Sequence, residues 1–256
     1  MNKKELINYI NNLLKIEDFS DSSKNWLQID NRKEEIKKIG YAVDATTYIF
    51  EKAVKENVDL LLVHHGIFWW FEQVLVDIPY KRAQIMIENN IALAWYHLPL
   101  DAHEIVWNNI WLLENFVNIF NIKNYEKERF AIYKWQEIGF GIRFENEIDI
   151  NDILNIYCEK VDLQKNLYNF WNKKKIKSVA FCSGWAWDLV QEAKNKNYDL
   201  YITGEAAHFQ ITFAKELWQS ILLAWHYETE KIGPKLLAEH LKEKFGLEII
   251  YIDEKY

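Results

Sequence analysis

The chain has 256 residues, half of them hydrophobic and 27% charged, with a formal net charge of −7. That is an ordinary globular composition with enough residues for a sizeable core, and the acidic balance disfavours nucleic-acid binding, which wants a basic face. No apolar run approaches eighteen residues, the opening Met1-Asn2-Lys3-Lys4-Glu5-Leu6 lacks the apolar stretch of a signal peptide, and only Cys158 and Cys182 are present; a reducing cytoplasm with no membrane attachment is the expectation.

Residues 3–15 predict an amphipathic helix, with Leu6, Ile7, Ile10, Leu13 and Leu14 on one side. A short strand follows at 40–44, a helix at 46–57 and a strand at 58–63. A helix at 79–89, a strand at 91–94 and a helix at 108–120 continue the alternation. Strand, helix, strand, helix, strand is the pattern of a parallel α/β sheet.

The polar stretch 121–129 reads as a linker. Residues 139–144 alternate like a strand, 148–158 look helical, and Lys173-Lys174-Lys175 is a solvated turn. A second α/β run then begins: strand 176–182, helix 188–196, strand 200–202, helix 211–217, strand 220–224. A long helix at 228–245 and a strand at 247–252 close the chain. The halves share a strand-helix-strand theme with no repeat visible in the sequence. The expected fold class is α/β, with a first lobe over 1–122, a second over 123–225, and 226–256 packing back on the first.

Four predicted strands end in polar chemistry. Leu60-Leu61-Leu62-Val63 is a buried-strand run that delivers His64, His65 and then Gly66. In doubly wound sheets, ligands collect where strands end at their carboxyl edge. The second segment runs from His97 to His103 and contains Asp101. The third is Thr203-Gly204-Glu205, with His208 three residues on. The fourth is His226-Tyr227-Glu228-Thr229-Glu230, whose His226 and Glu230 share a helix face if a helix starts there. Taken singly, Asp101 reads as a helix cap and His226 as a surface histidine. Taken together, six of the seven histidines lie in these segments, and only His240 lies elsewhere. Imidazole plus carboxylate without cysteine is a ligand set for Zn, Fe, Mn or Co. Several such groups together suit a two-metal site that activates water.

Val63-His64-His65-Gly66, Leu100-Asp101-Ala102, Thr203-Gly204-Glu205 and His226-Tyr227-Glu228-Thr229-Glu230 resemble, in this order, the NGG-one interacting factor three family. Its bacterial members are also labelled type 2 homologues of GTP cyclohydrolase I. The resemblance implies two related α/β lobes with mainly parallel sheets facing a metal-containing cleft, assembled into a toroidal homohexamer. It implies two divalent metal ions per subunit (Zn, Fe, Mn or Co), held by His64, His65, Asp101, His226 and Glu230, with Glu230 bridging and His97 lining the site. The label implies a metal-dependent hydrolase acting on a nucleotide-like or phosphorylated small molecule, with Glu205 and His208 as candidates for proton transfer or substrate contact. The alternative is a non-catalytic metal-binding scaffold that contacts other proteins; both readings need the same ligands.

One feature departs from the family. Glycine is 8 of 256 residues and tryptophan 12; glycine thus stands at about 3% against a usual share of about 7%. Tryptophan occupies turn-like and ligand-loop positions that ask for glycine: 26, 70, 95, 107, 111, 135, 171, 185, 187, 218 and 225, leaving Trp69 as ordinary. Glycine at such places supplies positive φ or close backbone approach, which an indole cannot. A gene that spells glycine with a reassigned UGA codon would produce this pattern; the alternative is an aromatic-rich surface or interface. Positive φ or an outward side chain is expected at one or both of Trp185 and Trp187.

Overall fold

The computed structural model describes residues 1–69, 74–103 and 108–254. The chain divides into two compact units, Met1–Leu100 with Gly233–Tyr256, and Asp101–Ile232. The boundaries anticipated at 122 and 225 both lie inside the second unit.

The first unit begins with α1 (Lys3–Leu14). Asn2 caps it by accepting from the Glu5 N–H at 3.2 Å, and Leu6, Ile7, Ile10 and Leu14 form its buried stripe. The strands are β1 (Trp26–Ile29), β2 (Lys38–Asp44), β3 (Leu60–His65) and β4 (Ala92–Trp95), with α2 (Thr47–Lys55) after β2 and α3 (Asp77–Glu88) after β3. The sheet order is β1-β4-β3-β2, completed beyond β2 by β11 (Glu248–Tyr251). β2, β3, β4 and β11 run parallel and β1 antiparallel. Leu60, Leu61, Leu62 and Val63 of the central β3 are at most 1% exposed, and each contributes roughly 1.5–3 kcal/mol by burial. β3 extends two residues beyond the predicted strand, so His64 and His65 are its last residues.

The second unit takes up the chain within α4 (Leu98–Ala102) and continues with α5 (Asn108–Ile119). Of the predicted linker 121–129, residues 121–124 do connect α5 to the next strand, but the rest is the start of β5 (Tyr125–Tyr133), an edge strand whose first residues are polar because they are largely exposed. β6 (Gln136–Asp149) pairs with it as a hairpin. Helical residues 150–160 comprise α6 (Ile150–Asp152), a π turn (Ile153–Tyr157) and α7 (Cys158–Lys160). Then come β7 (Asn166–Tyr168), β8 (Lys175–Cys182), α8 (Val190–Asn195), β9 (Leu200–Thr203), α9 (His208–Glu216) and β10 (Ile221–Leu223). The sheet order is β5-β6-β8-β9-β10-β7; β8, β9 and β10 are parallel and the other pairings antiparallel. This sheet is therefore mixed, whereas the first is mainly parallel. The predicted helix 228–245 is two helices, α10 (His226–Glu230) and α11 (Ile232–Phe245).

The two units share a short repeat at the start of a central strand. Asn57-Val58-Asp59-Leu60 leads into β3, and Asn197-Tyr198-Asp199-Leu200 leads into β9. Both asparagines are left-handed, with φ 54 and 56. Asp59 accepts the backbone N–H groups of Lys37 and Lys38 and pairs with Lys33; Asp199 accepts that of Lys177 and pairs with Lys173. The shared device is a carboxylate that ties the start of a central strand to its neighbour.

Trp185 is 52% exposed, as an outward side chain requires. Neither it nor Trp187 has positive φ, however; the left-handed residue of that turn is Gly184, φ 66. Trp187 opens a 3-10 turn with its ring edge-on to Phe209 at 5.7 Å. Trp70 and Trp107 lie outside the described residues. Among the described residues, no helix is long and apolar enough to cross a membrane.

Candidate metal centre

In the first unit, the ends of β3 and β4 bring three imidazoles together. The ring centroids of His64 and His65 are 4.8 Å apart, those of His64 and His97 5.2 Å, and those of His65 and His97 5.7 Å. One ring nitrogen from each lies within 4.8 Å of the others. His97, expected only to line the site, is a full member of this cluster.

Each ring is oriented through its Nδ1. His64 Nδ1 lies 3.1 Å from the Tyr96 carbonyl oxygen, His65 Nδ1 2.8 Å from Asp44 Oδ1, and His97 Nδ1 3.0 Å from Asp21 Oδ1. A carbonyl or carboxylate oxygen only accepts here, so the ring proton sits on Nδ1, which leaves Nε2 as the atom that could coordinate a metal. Such Nδ1–H···O bonds are how metal-binding histidines are held. Asp21 is deeply buried. Burial alone would raise its pKa, but the hydrogen bond and charge of His97, then Asn25 and the Ser23 N–H, outweigh it and hold the carboxyl below the usual range. The loop carrying Asp21 is tied in by Asn25, whose Oδ1 accepts from the His97 N–H at 2.6 Å.

The second unit carries His226 and the carboxylates of Asp101, Glu205 and Glu230. His226 is the first residue of α10 and Glu230 its last; His226 Nε2 lies 2.9 Å from Glu230 Oε2 across one turn, and Nδ1 lies 2.7 Å from Glu205 Oε1. Burial would lower the pKa of His226, but Glu230 and then Glu205 push it up to about 10. Asp101 is 5% exposed. Its Oδ1 accepts from Ser183 Oγ at 2.8 Å and Asn108 Nδ2 at 2.9 Å. The next residue, Gly184, reaches the other carboxylate: a Cβ there would collide with Glu230 Oε1, and its φ of 66 suits glycine. Gly204 is equally confined, since its Cβ would lie 2.5 Å from the Gly184 carbonyl oxygen and 2.9 Å from His226 Cα. Close backbone packing thus sets Asp101, His226 and Glu230. Glu205 belongs to this group through His226, whereas His208 is exposed at the start of α9 and, among the described residues, no hydrogen bond joins it to the group.

Each unit, taken by itself, offers donors that could hold a divalent metal: three imidazoles with Nδ1 engaged in the first, and an imidazole with carboxylates in the second. Cys158 and Cys182 are free and buried; burial pushes the Cys158 thiol up to about 12 and that of Cys182 well above its ordinary value, so neither is a thiolate at neutral pH.

A family model described as Duf34/NIF3 (NGG1p interacting factor 3) matches residues 1–256. The chain belongs to the DUF34/NIF3 family. Relatives named GTP cyclohydrolase 1 type 2 homolog include one from Pyrococcus abyssi, 35% identical over 253 residues, covering 99% of this chain and 98% of the relative. Another, from Chlamydia trachomatis, is 37% identical over 259 residues with the same coverage. Among solved structures, TTHA1606 from Thermus thermophilus superposes with a TM-score of 0.86 at 31% identity, covering 100% of this chain and 99% of that one. Reduced HcgD from Methanocaldococcus jannaschii superposes at 0.78 and 26%, covering 99% and 98%.

In this DUF34/NIF3 chain, the residues that sequence reading missed are the orienting ones: Asp21, Asp44, Asn108, Asn109, Ser183 and Thr229. Thr229 Oγ1 accepts from the Gly184 N–H at 3.0 Å. Asp44 had a signal, as an acid ending the strand beside β3. The Asn108-Asn109 pair opening α5 was a weaker one. Asp21 had none, being polar in a polar loop.

Proposed function

We propose that this chain is a divalent-metal protein in which His64, His65, Asp101, His226 and Glu230 together hold two ions, with His97 beside them, and that it hydrolyses a nucleotide-like or phosphorylated small molecule as a homo-oligomer. The observation that carries the reading is the trio His64, His65 and His97, with one ring nitrogen of each within 4.8 Å of the others and every Nδ1 engaged. Three imidazoles oriented alike, without thiols, are assembled at a cost in desolvation that core packing does not require. The names of the relatives support the substrate class.

When bound, two divalent ions supply Lewis acidity for activating water and stabilising an oxyanion. The protein's own groups do the rest. Asp44, Asp21 and the Tyr96 carbonyl oxygen fix the rings of His65, His97 and His64. Glu205 holds His226 at Nδ1 and, being partly exposed, can take a proton at its carboxylate.

The test is metal analysis of the purified protein, followed by a hydrolysis screen with nucleotides and phosphoesters. Two ions per chain, lost together in a His64→Ala/His226→Ala variant that stays folded, and turnover that follows the metal, are expected. Two ions with no turnover would leave a metal-binding scaffold; no bound metal would overturn the reading.

A further inference from the structure

Six helices in the described residues end with the same device. The residue after the last turn is left-handed; its N–H bonds back three residues, and the next N–H bonds back five. The left-handed residues are Asn57, Asn90, Asn121, Asp162, Asn197 and Trp218, with φ between 49 and 58. Five are asparagine or aspartate, which with glycine are the residues that enter this region at small cost. The sixth is Trp218, 63% exposed.

Two more tryptophans stand on backbone that rejects them. The β5–β6 hairpin turns through Lys134 and Trp135, with φ 46 and 71, between the paired Tyr133 and Gln136. Two positive φ values in a two-residue loop define a type I′ turn, whose second place is typically glycine. Trp135 is 97% exposed, so packing does not favour the indole. Trp225 enters α10 with φ 75 and ψ 133. That lies outside the left-handed helical well, in space open to glycine.

The other aromatics provide a control. None of the described phenylalanines or tyrosines has positive φ, against three of the ten described tryptophans. Trp26, Trp135, Trp171, Trp185, Trp218 and Trp225 are exposed, six of those ten, whereas only Tyr48, Tyr80, Phe209, Phe213 and Tyr251 are exposed among 26 described phenylalanines and tyrosines. Trp95 is fully buried in β4, with its Nε1 lacking a hydrogen-bond partner. Trp69 behaves normally, half-buried and edge-on to His97 at 5.5 Å.

We propose that Trp135, Trp218 and Trp225 are glycine in the native protein, because its gene spells them UGA and its source reads UGA as glycine; Trp26, Trp95 and Trp185 share that codon, and Trp69 does not. One cause then accounts for the left-handed indoles, the exposed rings and the 8 glycines set against 12 tryptophans. It also bears on the site, because glycine at 225 lets the chain enter α10 and present His226 without a forced backbone angle.

The codons decide first: UGA at 135, 218 and 225 with UGG at 69 is expected, and UGG at all four overturns the proposal. Peptide mass spectrometry on the protein isolated from its source decides independently. Glycine at the three positions and tryptophan at 69 is the expected result; tryptophan at 135, 218 and 225 overturns the proposal. In recombinant protein, Trp135→Gly/Trp218→Gly/Trp225→Gly should raise Tm relative to the tryptophan chain, and a lowered Tm would overturn the argument from backbone strain.

Discussion

Asp44 Oδ1 and His65 Nδ1 lie 2.8 Å apart, each at the end of its own strand in the parallel pair β2 and β3. The carboxylate fixes both the ring plane and the proton position of the imidazole. Removing such a partner typically costs about 10–100-fold in metal affinity. Asp44→Asn should therefore weaken Zn²⁺ binding by about that factor while leaving the fold intact, as read by competition with a chromophoric chelator. Unchanged affinity would sink the assignment of Asp44 as an orienting group.

His226 makes the metal-free protein sensitive to alkali. Its pKa, pushed up to about 10 from 6.5 by Glu230 and Glu205 against the effect of burial, gives stability that is complete below the ordinary value. That stability is lost as pH rises through about 10. Metal-free protein should lose Tm steadily from about pH 7 to 10, and Glu205→Gln should flatten the slope. Equal slopes for the two proteins would contradict this account.

Metal uptake should release a proton at neutral pH, because a protonated His226 cannot offer Nε2 to a cation. Calorimetric titration with Zn²⁺ in buffers of different ionisation enthalpy measures the release. Heats that do not depend on the buffer would mean that His226 is not a ligand.

Asn109 is fully buried. Its Nδ2 donates to the carbonyl oxygens of Asp101 and Ile138, and its Oδ1 accepts from the Ser183 N–H at 2.6 Å. Asn109→Ala strands three backbone groups, each worth about 1–3 kcal/mol when left unsatisfied. Denaturant unfolding should show a loss of at least about 2 kcal/mol; less than about 0.5 kcal/mol would mean the network is relaxed by water.

Gly184→Ala should be worse than its size implies. The methyl would collide with Glu230 Oε1 at a φ of 66. The backbone term alone is about 1–3 kcal/mol, and Glu230 must move. Loss of both stability and metal binding is expected, and a variant that binds metal normally would show that the Gly184–Glu230 contact is slack.

Much of this was legible in the sequence. The run Leu60-Leu61-Leu62-Val63 marked a central strand, and the strand ends marked where His64, His65, His97 and His226 would stand. Local signals failed where exposure or geometry overrode them. The polar residues 125–129 form a strand because β5 is an edge with β6 on one side only. The predicted long helix breaks near Lys231, so that α10 carries His226 and Glu230 on its own short turn. The same limit applies to the tryptophans: composition flagged them, but φ at 135, 218 and 225 required a backbone.

By itself, the sequence determined the succession of strands and helices and the residue types that gather at strand ends. Both follow from hydrophobic periodicity and turn chemistry, which are local. Only the tertiary structure decided which oxygen holds each ring: Asp44 for His65, Asp21 for His97 and Glu205 for His226, at sequence separations of 21, 76 and 21. Those pairings depend on strand order, and that of His226 also on close glycine packing at Gly184 and Gly204. Neither is written in any one stretch, because a hydrogen bond between distant residues forms only after the sheets have brought their strand ends together.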